Sequence, residues 1–278
     1  KKALVIGDSI TAAGKWQKKL EELLGMNVAT HAKGGIGILR MTDGDNGLDG
    51  TYNAETDKNG VLRPLMAADV EGVSLIIVLP AYNERATVLG SVGDCYPEKE
   101  TICGRIQYLL NRIYEELEDA GNLTCHVLVA TPHCAGKYPY VDADGYEEYP
   151  TGTGQTMEKL SDTIKAVAQA NNVAVCDLWH ESGINRRTWS VFGAQKNAVN
   201  EQYAKYQLDA SGKVVGSVAQ RYVNGQSYYQ KRNGSIILEK YTGSSPYPFN
   251  GDQLHCSTEG YARIGECVVG SVIRAFGK

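Results

Sequence analysis

The sequence predicts a three-layer α/β/α sandwich built on a five-stranded parallel sheet. Five short runs carry this expectation: Ala3–Ile6, Val28–Ala32, Leu75–Leu79, His126–Thr131 and Val173–Leu178. Each is rich in Val, Ile or Leu and apolar at successive positions, as strands covered by helices on both faces are. Stretches of helical periodicity lie between them. Strands that alternate with helices pair in parallel, through right-handed crossovers.

Each element follows from its residues. The first strand leads to a helix with Trp16, Leu20, Leu23 and Leu24 on one face. The strongest amphipathic stretch carries Ile102, Ile106, Leu109, Leu110, Ile113 and Leu117, and stops at Gly121. Met157, Leu160, Ile164, Val167 and Ala168 mark a further helix before the fifth strand. A terminal helix runs from about 257 to 276, with Tyr261, Ile264, Val268 and Val272 inward and Ser257 or Thr258 as N-cap. Polar segments interrupt this rhythm at 43–64, at 133–155 with Tyr138, Tyr140, Tyr146 and Tyr149, and at about 180–250. The last is far longer than an ordinary connection. Inside it, Asn224-Gly225 and Asn233-Gly234 sit beside the alternating stretches Val218–Val223 and Ser235–Tyr241, which is a hairpin signal. The expectation is one domain over 1–278 with a β-hairpin-rich insertion at about 180–250.

A chain of 278 residues buries a sizeable core without metals or disulfides. Its 28 basic and 32 acidic side chains give a net charge of −4 with no long run of either sign. No basic stripe is present to neutralise phosphates, so no nucleic-acid partner is expected. The longest apolar run, Val73–Ala81, is far short of a bilayer span. The seven cysteines form no C-x-x-C pair, which argues against a zinc ribbon or a redox centre. His31, His126, His133 and His180 make no metal-ligand spacing, and neither a Walker loop nor a G-x-G-x-x-G fingerprint occurs. No metal and no cofactor are expected. His133 and His180 follow the fourth and fifth strands, so both are candidates to line a cleft there.

The chemistry-bearing residues lie at strand ends. The first strand ends in Gly7-Asp8-Ser9-Ile10-Thr11, at the sheet edge where parallel α/β proteins bind ligands. Taken alone, this block reads first as a strand-ending turn in which Ser9 caps a helix. Gly34-Gly35-Ile36-Gly37 follows the second strand, and a glycine there lets a backbone N–H face an anion. The third strand ends in Pro80-Ala81-Tyr82-Asn83-Glu84, where a side-chain amide can donate to an oxyanion. Asp252-Gln253-Leu254-His255 precedes the terminal helix. That spacing can put a carboxylate beside an imidazole, leaving the other ring nitrogen to take a serine proton.

Ser, Gly, Asn and Asp-x-x-His in this order resemble the SGNH (GDSL-type) hydrolase superfamily. The resemblance implies a flavodoxin-like sheet with the site along its carboxyl edge. It implies Ser9 as nucleophile and, through its backbone N–H, first oxyanion donor. Gly35 would be the second donor, with Gly34 competing for that place, and the Asn83 side chain the third. His255 would be the general base and Asp252 its orienting partner. Two departures stand out: Ala81-Tyr82-Asn83-Glu84 replaces the usual Gly-x-Asn-Asp, and Cys256 stands where a proline often follows the histidine. No G-x-S-x-G elbow occurs, so the α/β-hydrolase alternative lacks its signature.

The activity implied is hydrolysis of a small acyl ester, with acetate on a saccharide preferred. Seventeen tyrosines against three phenylalanines favour a partly wet, sugar-stacking surface over a channel for a long acyl chain. A non-catalytic carbohydrate-binding protein on this scaffold and an acyltransferase using the same residues are the alternatives. A saccharide substrate would favour secretion or the periplasm.

Overall fold

The five apolar runs pair into one parallel sheet in a computed structural model of the chain. It describes residues 1–47, 60–80, 82–84, 87–134, 156–185, 188–194, 205–208, 214–218, 229–230, 236–237 and 254–277. The strands are β1 (Lys2–Gly7), β2 (Asn27–Ala32), β3 (Val73–Leu79), β4 (His126–Ala130) and β5 (Ala174–Cys176), and the sheet order is β2-β1-β3-β4-β5. Register pairs Ile6 with His31 on one side and Val78 on the other. The central strands β1 and β3 are buried along nearly their whole length, whereas β2 exposes Asn27 and Thr30 as an edge strand does. The fifth strand is shorter than the Val173–Leu178 expected. Asp177 accepts a hydrogen bond from the His180 backbone N–H and turns the chain into a helix.

The helices in chain order are α1 (Ser9–Ala12), α2 (Lys18–Leu24), α3 (Arg40–Asp43), α4 (Ala67–Val70), α5 (Ile102–Asp119), α6 (Met157–Ala170), α7 (Leu178–Glu181), α8 (Trp189–Phe192) and α9 (Thr258–Phe276). The side chains of Thr101, Thr156 and Ser257 accept hydrogen bonds at the starts of α5, α6 and α9, satisfying donors that a helix start leaves unpaired. Packing pairs α5 with α6 and α2 with α9, giving a helical layer on each side of the sheet. On α9, Tyr261, Ile264, Val268, Val269 and Val272 are buried. Each such aliphatic side chain removed from water stabilises the fold by roughly 1.5–3 kcal/mol. Leu23, expected to face the core, is 57% exposed, because the short α2 presents only Leu20 fully inward.

Within 180–250 two antiparallel pairs are described: β6 (Lys205–Leu208) with β7 (Val214–Val218), and β8 (Tyr229–Gln230) with β9 (Ile236–Ile237). The expected turns at Asn224-Gly225 and Asn233-Gly234 lie outside the described residues, as do Tyr138, Tyr140, Tyr146 and Tyr149. Among the described residues no helix is long and apolar enough to cross a membrane.

Candidate active site

In an order of 2-1-3-4-5, the connections leaving β1 and β3 run to opposite faces, and a crevice opens between their carboxyl ends. The segments leaving β1, β2 and β3 meet there. Asp8 is the N-cap of α1, its Oδ1 accepting the Ile10 N–H at 3.0 Å. The cap is therefore Asp8, and Ser9 is the first helical residue, half-buried at the sheet edge. His255 comes from the far end of the chain, and its Nε2 lies 2.8 Å from Ser9 Oγ. The two residues are separated by 246 positions, so only the fold brings them together.

The two glycine candidates sit beside this pair. A Cβ built on Gly34 would lie 3.6 Å from Ser9 Cβ, while Gly35 has φ +80° and open space on its side-chain side. Asn83 joins the blocks. Its Nδ2 donates to Ile36 O at 2.8 Å and to Asp8 Oδ2 at 3.3 Å.

Glu84 makes the most consequential of these links. Its Oε1 accepts the Ile38 N–H at 2.7 Å, and its Oε2 accepts from Thr87 Oγ1 at 2.9 Å and pairs with Arg105 of α5. The carboxylate thus ties the glycine-bearing loop to the third block and to a core helix. Gly37 passes so close that any Cβ there would overlap Glu84 Oε1. An aspartate, one methylene shorter, would not span the same distance from this backbone position.

The loop carrying His255 is held from both sides. The Ala194 N–H donates to His255 O at 2.8 Å, the Ser257 N–H donates to Phe192 O at 2.7 Å, and Ser257 Oγ donates to Val191 O at 2.9 Å. On the inner side, His133 Nε2 lies 3.0 Å from Leu254 O. Asp252 lies outside the described residues.

Electrostatics single out Asp8. Burial raises its carboxyl from 3.8 to about 6, against the lowering effects of the Ile10 N–H and of His255. Burial also lowers His133 from 6.5 to about 4, so that ring is neutral at pH 7. Tyr82, wholly buried beside it, is pushed well above the usual phenol value by desolvation.

His133 and His180 do not share the fate expected for them. His133 is fully buried and so does not line an open cleft. His180 is exposed, with Nδ1 3.0 Å from both Asp177 oxygens and Nε2 3.7 Å from Glu158 Oε1. Lys165 pairs with the same Asp177 at 2.9 Å. Among the described residues no cluster of His, Cys, Asp and Glu could hold a metal ion. Sequence reasoning missed Asp8, Tyr82 and Glu84. An aspartate just before a helix is a readable cap signal, but no local pattern marks the contact of Tyr82 with His133 or of Glu84 with Ile38, 51 and 46 positions away.

No family model matches the chain. No curated protein matches it either. Among solved structures, it is similar to a possible lipase from Chitinophaga pinensis at 17% identity and a TM-score of 0.55, covering 99% of this chain and 98% of that one. It is also similar to a protein from Lactobacillus plantarum at 15% identity and a TM-score of 0.57, with the same two coverages of 99% and 98%. The chain therefore has the three-layer α/β fold of these proteins, the flavodoxin-like arrangement that the resemblance to SGNH hydrolases implies.

Proposed function

We propose that the chain is a serine esterase of the SGNH type, acting through a covalent acyl-enzyme. The observation that carries this reading is the 2.8 Å contact between Ser9 Oγ and His255 Nε2. His255 takes the Ser9 proton as Oγ bonds to the ester carbonyl carbon. The resulting oxyanion is held by the N–H groups of Ser9 and Gly35 and by the Asn83 amide. Collapse breaks the bond to the alcohol, which leaves with the proton from His255. Water, deprotonated by His255, then releases the acid and restores Ser9.

Asp252 is assigned to orient His255. Support comes from within the molecule: Asp177-Leu178-Trp179-His180 has the same spacing, and there the carboxylate and imidazole stand 3.0 Å apart. In the resting site both described Asn83 bonds go to protein acceptors. Donation to an oxyanion replaces the longer of the two, that to Asp8, and leaves Ile36 O to hold the amide in place.

The substrate we favour is a small acyl ester, acetate on a saccharide in particular. The SGNH resemblance and the tyrosine-rich composition support it. Ser9→Ala should abolish both p-nitrophenyl acetate hydrolysis and labelling by a fluorophosphonate, and an unchanged rate would remove the mechanism. Asn83→Ala should lower turnover by roughly 10²–10³. A panel of acetylated sugars and aryl esters of rising chain length then ranks the substrates. Sugar binding without labelling would support a binding protein instead, and acyl transfer to an added hydroxyl acceptor would support a transferase.

A further inference from the structure

We infer that His133 is a positioning residue that sets the catalytic loop bearing His255 in register with the block bearing Asn83. This rests on the esterase reading above and extends it to a residue that never touches substrate. The His133 ring is fully buried, and it bridges the segment that carries His255 and the segment that carries Asn83. Its Nε2 is 3.0 Å from Leu254 O and 3.3 Å from Cys256 Sγ, the two neighbours of His255. Its Nδ1 is 2.5 Å from the hydroxyl of Tyr82, the residue before Asn83. The same hydroxyl lies 2.8 Å from His133 O. Trp189 lies nearly parallel to the ring, with centroids 6.2 Å apart.

The partners dictate the tautomer. Leu254 O can only accept, so Nε2 carries the proton and Nδ1 is an acceptor, which shares the single Tyr82 hydroxyl proton with the His133 carbonyl oxygen. With the proton on Nδ1 instead, the Nε2 lone pair would face a carbonyl oxygen at 3.0 Å. A neutral ring in this one tautomer satisfies Leu254 O and receives the Tyr82 hydroxyl, and burial keeps it neutral. From the solvent side, residues 191–194 hold the 255–257 backbone. The His255 loop is thus clasped between that segment and His133, and the inner half of the clasp reaches directly to the oxyanion block.

The experiment compares the full-length parent with H133F and H133Q. Phenylalanine keeps the ring and its stack but has no donor, whereas glutamine restores an N–H toward Leu254 O. For folded H133F, kcat on p-nitrophenyl acetate should fall roughly 10- to 100-fold with KM within about twofold, as a misplaced base predicts. H133Q should recover most of that loss. In parallel, ¹⁵N-histidine NMR of the parent should show His133 with its proton on Nε2. H133F turning over within twofold of the parent, H133Q no better than H133F, or a parent ring protonated on Nδ1 would each overturn the inference. If H133F does not fold, the rate of H133Q against the parent and the NMR arm still test the inference. A parent that neither hydrolyses esters nor labels at Ser9 would instead sink the esterase reading and this one with it, so the two failures are distinguishable.

Discussion

Asp8 shows how a single buried carboxylate can serve the site at the expense of the fold. Its folded value of about 6 lies above the ordinary 3.8, so the native state binds the proton more tightly than the unfolded chain does. The burial penalty is fully felt above pH 6 and is gone below about 4. Two pH units of displacement correspond to about 3 kcal/mol at neutral pH. Asp8→Asn keeps an oxygen for the Ile10 N–H and removes the charge. It should therefore raise urea stability at pH 8 by about 1–3 kcal/mol and leave it unchanged at pH 4. The new amide would set a donor against Asn83 Nδ2, now 3.3 Å from the carboxylate, so turnover should fall in the same variant. A stability gain that persists at pH 4 would show that charge burial is not its source. The sequence showed Asp8 only as part of a motif, because its neighbours Asn83 and His255 come from 75 and 247 positions away.

Among the elements, the loop after β2 is the one whose shape is set from outside. Its amide at Ile38 is held by Glu84, and Glu84 is in turn anchored by Arg105 on α5. Two loop segments are thereby tied to one long helix. Gly37→Ala tests this link: the added methyl overlaps Glu84 Oε1, and that carboxylate is buried and cannot swing aside without losing its partners. We expect a loss of about 1–3 kcal/mol together with reduced kcat, read by urea denaturation and ester hydrolysis. Full activity in Gly37→Ala would mean that the loop does not need Glu84 to stay in place. The β1 and β3 strands and the long helices were readable because their partners are apolar in general, and any apolar neighbour satisfies a periodic pattern. The contact from Glu84 to Ile38 was not readable, because it depends on one carboxylate reaching one N–H across 46 positions. Nor was the exposure of Leu23, since amphipathic spacing gives a face and not its depth.

For the whole molecule, buried titratable groups give the stability a direction in pH. His31 and His133 are both lowered by burial from 6.5 to about 4. Each contributes stability present above pH 6.5 and lost as pH falls toward 4. Asp8 works the other way over nearly the same window. Among the described residues, two imidazoles against Asp8, with Asp43 also raised by burial, leave a net loss of at most about 1.4 kcal/mol per pH unit between 6 and 4. Urea midpoints should therefore fall steadily from pH 6.5 to 4.5, and midpoints that stay level or rise would contradict two histidines buried neutral.

The sequence by itself determined the α/β class, the strands and helices, and the identity of Ser9, Asn83 and His255 as residues worth joining, because periodicity and short motifs are local properties. Only the tertiary structure decided that Ser9 and His255 touch, that Glu84 ties the glycine loop to α5, and that His133 is buried between Tyr82 and Leu254. Those contacts depend on the β2-β1-β3-β4-β5 order and on parallel strands all ending at one edge. That order gathers groups from distant parts of the chain within hydrogen-bonding reach, and no stretch of sequence records the distance between them.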